Sequence, residues 1–89
     1  MAQLAPDELT EMAEEELNAA CALTWPELKR ITPWGDSFEG FAPSGRTVEV
    51  ERRYLWAHEP KGAIVVEVEV RDAAARTGAE ARALLAPPG

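Results

Sequence analysis

The stretch from Arg46 to Arg71, RTVEVERRYLWAHEPKGAIVVEVEVR, contains two runs in which apolar and charged residues alternate, separated by a proline–glycine turn. Alternation with a period of two is the pattern of a β-strand that buries one face. The stretch therefore predicts an antiparallel hairpin with strands over residues 46–57 and 63–71. Arg52 is the exception, because it falls among the residues of the apolar face.

Two similar segments predict the turns of the sheet, Ala42–Arg46 and Glu59–Ala63, each with proline second and glycine fourth. A two-residue hairpin loop needs a positive φ at its first position, which proline cannot adopt. We therefore expect type I turns followed by a left-handed glycine. For the second turn this geometry pairs Glu59 with Ala63, and hence Trp56 with Val66, Tyr54 with Val68, Arg52 with Val70, Arg53 with Glu69 and Glu51 with Arg71.

The same geometry at the first turn predicts a strand over residues 36–42, with Asp36 opposite Arg52. The sequence thus predicts an ion pair between these two residues at the sheet margin, with the arginine stem packed against valines. Glu39 would face Glu49, a like-charge pair that disfavours this register. The register also sets Phe38 against Val50 and Gly40 against Val48.

Helical patterns precede the strands. Apolar residues recur at three- and four-residue steps over residues 7–22 and predict an amphipathic helix there. Thr24 and Glu27 have capping-box spacing, which predicts a short helix over residues 25–31 that the Thr32–Pro33 pair ends.

The C-terminal region has a second capping-box pattern at Thr77 and Glu80, which predicts a short helix over residues 77–86. The predicted fold is therefore a single small α+β domain over residues 1–89. It has an N-terminal helix, a short second helix, a three-stranded antiparallel meander of order 1-2-3 with the helices packed on one face, and a short C-terminal helix. The strand over 63–71 would then lie at a sheet edge.

The net charge of −7 is concentrated in the first third of the chain. Residues 1–28 contain seven acidic residues and no basic ones, whereas residues 29–89 contain nine of each. A nucleic-acid-binding protein has a basic face, so we expect no direct nucleic-acid binding. The sequence has no apolar run near 18 residues, and its one cysteine cannot form an internal disulfide; from the residues at its start we expect no secretory signal. These features predict a cytoplasmic protein without a membrane partner.

Residues for catalysis are few. The sequence contains no Gly-rich phosphate loop and no HExxH, CxxC or GxSxG motif. His58 and Cys21 are the only candidate Cys–His pair, and nothing in the sequence brings them together. We expect no enzyme activity, no catalytic residue, no metal site and no cofactor. Binding of a small ligand by Trp25, Trp34 and Trp56 together with Arg52 is a further hypothesis, against which three large aromatic residues in so small a chain favour a role in the core.

The acidic first helix is the leading functional candidate. An acidic helix face steers association with a basic surface and disfavours wrong partners. We therefore expect a non-enzymatic protein-binding module, an inhibitor or regulator, that docks this face on a basic protein. The residues concerned are Glu8, Glu11, Glu14 and Glu15.

An alternative function is that of a structural or assembly subunit. An unprotected, valine-rich edge strand invites pairing with another strand, including that of a second copy in a homodimer. The residues concerned are Ile64, Val66, Val68 and Val70.

Overall fold

A computed structural model describes residues 8–88, which form two helices and one four-stranded antiparallel sheet. Helix α1 spans Glu8–Cys21 and α2 spans Trp25–Ile31. The strands are β1 (Gly35–Phe41), β2 (Thr47–Trp56), β3 (Ile64–Asp72) and β4 (Thr77–Leu85), in the order β1-β2-β3-β4. The α+β class is as predicted, and residue 7, where the sequence predicts the first helix to begin, lies outside the described residues.

The fourth strand contradicts the prediction of a three-stranded sheet with a C-terminal helix over 77–86. Residues Thr77–Leu85 pair with β3 along their whole length. The capping-box pattern at Thr77 and Glu80 was misleading, because tertiary pairing overrides a local preference of this kind. A period-two pattern was present in the same residues, since Ala79, Ala81 and Ala83 alternate with longer side chains.

Strand β3 is consequently an interior strand, and the prediction that residues 63–71 form a sheet edge is wrong. It is paired with β2 on one side and β4 on the other. Its four apolar residues on the helix side, Ile64, Val66, Val68 and Val70, are 0% exposed. They form the centre of the core and cannot serve as an association edge.

The first hairpin has the predicted register. Phe38 pairs with Val50 and Asp36 pairs with Arg52. Ala42 and Arg46 close a three-residue loop in which Gly45 has a φ of 97°, as the type I turn with a left-handed glycine requires. The turn predicted from the Pro–Ser–Gly sequence is therefore confirmed.

The second hairpin differs from the prediction by two residues. Ala57 donates to the carbonyl of Ala63, so the loop contains five residues rather than three. Lys61, not Gly62, has the positive φ, of 71°, and the Gly62 N–H donates to Glu59 as in a type II turn. Because the shift is even, every side chain stays on its predicted face; the pairs become Trp56–Ile64, Tyr54–Val66, Arg52–Val68, Arg53–Glu67 and Glu49–Arg71.

The helices cover one face of the sheet, which we call the inner face. Helix α1 packs across β3 and β4 and buries Leu9, Ala13 and Ala20. The alanines of β4 leave room for this close approach, since Ala79 and Ala81 pack against the same cluster as Leu9. The opposite, outer face of the sheet is not covered by any element of residues 8–88.

Helix α2 has the predicted bounds and the predicted cap. The Thr24 N–H donates to the Glu27 carboxylate at 3.0 Å, and the Glu27 N–H donates to the Thr24 hydroxyl at 3.4 Å. The bonds that the Thr24 N–H and then the Thr24 hydroxyl donate to this carboxylate lower the pKa of Glu27. The cap fixes where α2 begins, and Leu28 is its buried contact with the core.

Candidate protein-binding surfaces

Arg52 lies on the inner face and joins three elements. Its Nε donates to Asp36 Oδ1 at 2.7 Å, and its Nη2 pairs with Asp36 Oδ2. Its Nη1 lies 3.7 Å from the Glu16 carboxylate on α1, and its guanidinium carbon lies 5.1 Å from the centre of the Phe38 ring. The hydrogen bond from Arg52 lowers the pKa of Asp36. The arginine that interrupts the apolar pattern therefore connects β1, β2 and α1.

The Glu8 carboxylate is occupied by hydrogen bonds to other residues of the same chain. Its carboxylate accepts hydrogen bonds from the Ser44 hydroxyl at 2.6 Å, the Ser44 N–H at 3.1 Å and Arg46 Nε at 2.7 Å. These contacts lower the pKa of Glu8, chiefly through the Ser44 hydroxyl. Arg46 also pairs with the buried Asp72 at 3.2 Å. Glu8 thus ties the start of α1 to the first turn, a long-range contact that no local pattern in the sequence signals.

The outward side of α1 presents the other three predicted partner-binding residues, Glu11, Glu14 and Glu15, and all three are exposed. No ion pair joins them to a basic group within residues 8–88. The last turn of the helix contains no basic residue. These three carboxylates therefore form a purely acidic surface, which we call the α1 acidic surface.

The α1 acidic surface has a local energetic cost. Residues three and four apart on a helix are neighbours, so Glu11 faces both Glu14 and Glu15. Each such like-charge pair destabilises a helix by about 0.2–0.5 kcal/mol. Glu14 and Glu15 also lie beyond the first turn, where the helix dipole would favour an acid. Of the three, only Glu11 lies in the first turn, so the helix dipole does not offset the repulsion at Glu14 and Glu15.

The outer face of the sheet is also rich in glutamate, but there the charges are paired. Arg53 lies 3.0 Å from Glu67 and 3.2 Å from Glu51, and it reaches Glu69 and Glu80 at 3.8 and 3.7 Å. Its pKa is raised, chiefly by the hydrogen bond to Glu67. Arg53 therefore contacts four carboxylates from three strands.

Arg71 forms a second centre on the outer face. It contacts Glu49 at 2.7 Å, Glu69 at 2.7 Å and Glu51 at 3.1 Å. The hydrogen bonds from Arg71 and then Arg53 lower the pKa of Glu51. Although the register is shifted by two, the predicted contact between Glu51 and Arg71 still forms, across the diagonal of the ladder.

The three tryptophans do not converge on one site. Trp25 and Trp56 are partly buried and pack against the core cluster around Leu28 and Ile64. Trp34 is 69% exposed and lines a cleft of about 400 Å³ with Arg52 and Tyr54, between α2 and the first two strands. A ligand site formed by all three tryptophans is not assembled.

The remaining candidates for chemistry are separate. His58 is exposed in the second hairpin loop, and Cys21 is half-buried at the end of α1. Burial raises the pKa of the Cys21 thiol, which disfavours the reactive thiolate. Among residues 8–88, no group of three His, Cys, Asp or Glu side chains is arranged to hold a metal ion.

No protein-family model, curated protein or solved structure gives a significant match to this chain. Neither helix in residues 8–88 has the length and apolar character needed to cross a membrane.

Proposed function

We propose that this protein is a non-enzymatic binding module that docks the α1 acidic surface on a basic surface of a partner protein, as an inhibitor or regulator would. The observation that carries the proposal is the contrast in pairing. Glu11, Glu14 and Glu15 are exposed and make no ion pair within residues 8–88, whereas the glutamates at the centre of the sheet share arginines.

Electrostatics supports docking by this surface. Several carboxylates on a rigid helix, with no basic residue among them, raise the rate of encounter with a basic surface and disfavour acidic competitors. Helix α1 is held firmly, since Leu9 and Ala13 are 0% exposed beneath it. The acidic side chains therefore project from a fixed backbone, and little conformational entropy of the main chain is lost on binding.

Glu8 is not part of the proposed docking surface. Its carboxylate is occupied by Ser44 and Arg46, so binding a partner there would require breaking three internal hydrogen bonds. The proposed surface is accordingly smaller than the set that the sequence predicts. It comprises Glu11, Glu14 and Glu15.

The proposal is tested by capture from the source lysate with two variants of equal net charge. Glu11/Glu15→Lys changes the α1 acidic surface, and Glu59/Glu80→Lys changes two exposed glutamates elsewhere; both raise the formal charge from −7 to −3. We expect the wild-type protein and the Glu59/Glu80→Lys variant to retain the same basic protein, eluted by salt. The Glu11/Glu15→Lys variant should not retain it.

Equal loss from both variants would show that total charge, not the helix surface, causes retention. Equal retention by all three proteins would refute the proposal as well. Mass spectrometry of the retained fraction distinguishes these results. Circular dichroism of each variant establishes that the comparison is between folded proteins.

A further inference from the structure

The two edges of the sheet are protected to different degrees. Helix α1 packs against β4, which also carries two charged residues of opposite sign, Glu80 and Arg82, on the outer face. Strand β1 is exposed at every residue except the half-buried Gly40. It contains no lysine, arginine or proline, the residues that commonly prevent an edge from pairing with another strand.

The residues of β1 alternate between those that hydrogen-bond to β2 and those whose backbone groups point away from the sheet. Ala42 donates to Arg46, and Tyr54 donates to the carbonyl of Trp34, so the even-numbered residues of β1 make the hydrogen bonds to β2. The N–H and C=O groups of the odd-numbered residues therefore point away from the sheet. Within residues 8–88 no hydrogen bond satisfies these outward groups, which belong to Gly35, Ser37, Glu39 and Phe41.

We propose that β1 pairs with β1 of a second copy of this chain, antiparallel and centred on Phe38, to form a continuous eight-stranded sheet. In this register the odd-numbered residues of the two strands lie opposite each other, so their outward N–H and C=O groups can hydrogen-bond. Phe38 then faces its counterpart as a non-hydrogen-bonded pair. Ser37 then exchanges two hydrogen bonds with Glu39 of the second copy, and Gly35 does so with Phe41. By symmetry each pair occurs twice, which makes eight hydrogen bonds.

The side chains of β1 fit the same register. The two Phe38 rings, each 40% exposed in the single chain, meet at the centre on the inner face. On the outer face the Ser37 hydroxyl lies opposite the Glu39 carboxylate of the second copy. Phe41, which is 73% exposed, lies over Gly35 of the second copy, an arrangement in which an aromatic ring covers a glycine.

Two other registers would also bring the free backbone groups together, and charge repulsion disfavours one of them. A register centred on Glu39 would place its carboxylate directly against its own counterpart. A register centred on Ser37 avoids that contact, but it leaves Phe41 without a partner in the second β1 and makes six hydrogen bonds rather than eight. In the proposed register Asp36 faces Gly40, and no like charges are opposite each other.

The net charge of −7 does not prevent this association. Helix α1 lies over β3 and β4, so the two α1 acidic surfaces would be about six strand spacings apart, roughly 30 Å. That separation exceeds the Debye length of about 8 Å at physiological ionic strength. The proposed contact therefore lies far from the two acidic helices.

Cysteine crosslinking tests both the contact and its register, in a Cys21→Ala background. Phe38→Cys would place two Cα atoms about 4.5 Å apart across the centre, within reach of a disulfide. Phe41→Cys is the matched control: the position is more exposed, yet its counterpart would be roughly 20 Å away. We expect a disulfide-linked dimer from Phe38→Cys at dilute concentration and none from Phe41→Cys.

Equal crosslinking of the two variants, or crosslinking of neither, would overturn the proposal. A Ser37→Cys variant that crosslinks faster than Phe38→Cys would overturn the register. Sedimentation of proteins that have no introduced cysteine residue measures the oligomeric state independently. Ser37→Pro removes an outward N–H and should be monomeric where the wild-type protein is dimeric, while Arg82→Pro, which removes an outward N–H from β4, should remain dimeric.

A wild-type protein that is monomeric at millimolar concentration would overturn the proposal by itself. Circular dichroism of Ser37→Pro distinguishes loss of the dimer from loss of the fold. If Ser37→Pro does not fold, the crosslinking comparison decides, because both of its variants leave every backbone hydrogen bond within the sheet in place.

Discussion

The outer face of the sheet and the outward side of α1 both carry several glutamates, but the two surfaces differ in what balances them. On the sheet, within residues 8–88, Arg53 and Arg71 lie within 4 Å of five glutamate carboxylates, and Glu51 and Glu69 contact both arginines. On the helix, Glu11, Glu14 and Glu15 have no basic partner within residues 8–88. An acidic composition alone therefore does not identify a binding surface, and we propose that unbalanced charge on a rigid element is the better indicator.

The largest expected effect concerns the attachment of α1 to the sheet. Leu9→Ala removes a side chain that is 0% exposed, and we expect the free energy of unfolding to fall by about 2–5 kcal/mol. Urea denaturation measures it. Val65→Ala, at a half-buried position on the outer face, is the control and should cost less. An equal cost at both positions would mean that α1 is not anchored as described.

The outer face is tested by removing one of its arginines. Arg53→Gln leaves Glu51, Glu67 and Glu69 close together without this cation, so we expect a loss on the order of 1 kcal/mol in the free energy of unfolding. Arg30→Gln, at an exposed position in the last turn of α2 with no ion pair on the sheet, should cost less. A loss that does not shrink at high salt would contradict an electrostatic origin.

The pH dependence of stability provides a further test of the outer face. The folded-state pKa of Glu51 is lowered below its ordinary value of 4.5, so its contribution is fully present above that pH and is lost as the pH falls through the folded pKa. Glu51→Gln should therefore be less stable than wild type at neutral pH, and the two denaturation curves should converge in acid. Curves that stay parallel at every pH would be inconsistent with this account.

The smallest expected effect is on the helix. Glu15→Lys converts a repulsive pair with Glu11 into an attractive one in the favourable orientation, and we expect a gain of about 0.5 kcal/mol. Thermal or urea denaturation measures it at low salt. A variant that is more stable but no longer binds would show that the wild-type residue serves binding rather than folding. A loss of stability would mean that Glu15 has a structural role.

The two hairpins show how far the sequence determines this fold. The first register could be predicted because Pro43 and Gly45 leave one compatible turn. The second could not, because Lys61 accepts a positive φ that its residue type does not favour. Strand faces were nevertheless correct in both, since an even shift preserves the alternation of valine and glutamate.

The fourth strand and the internal role of Glu8 were not predictable by the same means. The alanine-rich segment 77–85 satisfies helical signals as well as strand alternation, and only pairing with β3 decides between them. Glu8 looks like the other helix acids in sequence. Its contact with Ser44 and Arg46, 36 and 38 residues away, depends on the packing of α1 over the sheet.

The most direct measurement of the central claim is the association rate of the partner retained from lysate, followed over a range of ionic strength. It compares the wild-type protein with the equally charged variants Glu11/Glu15→Lys and Glu59/Glu80→Lys. We predict that only Glu11/Glu15→Lys lowers the association rate by about tenfold to a thousandfold and abolishes its salt dependence. The same decrease in both variants, or none in either, would contradict docking through α1.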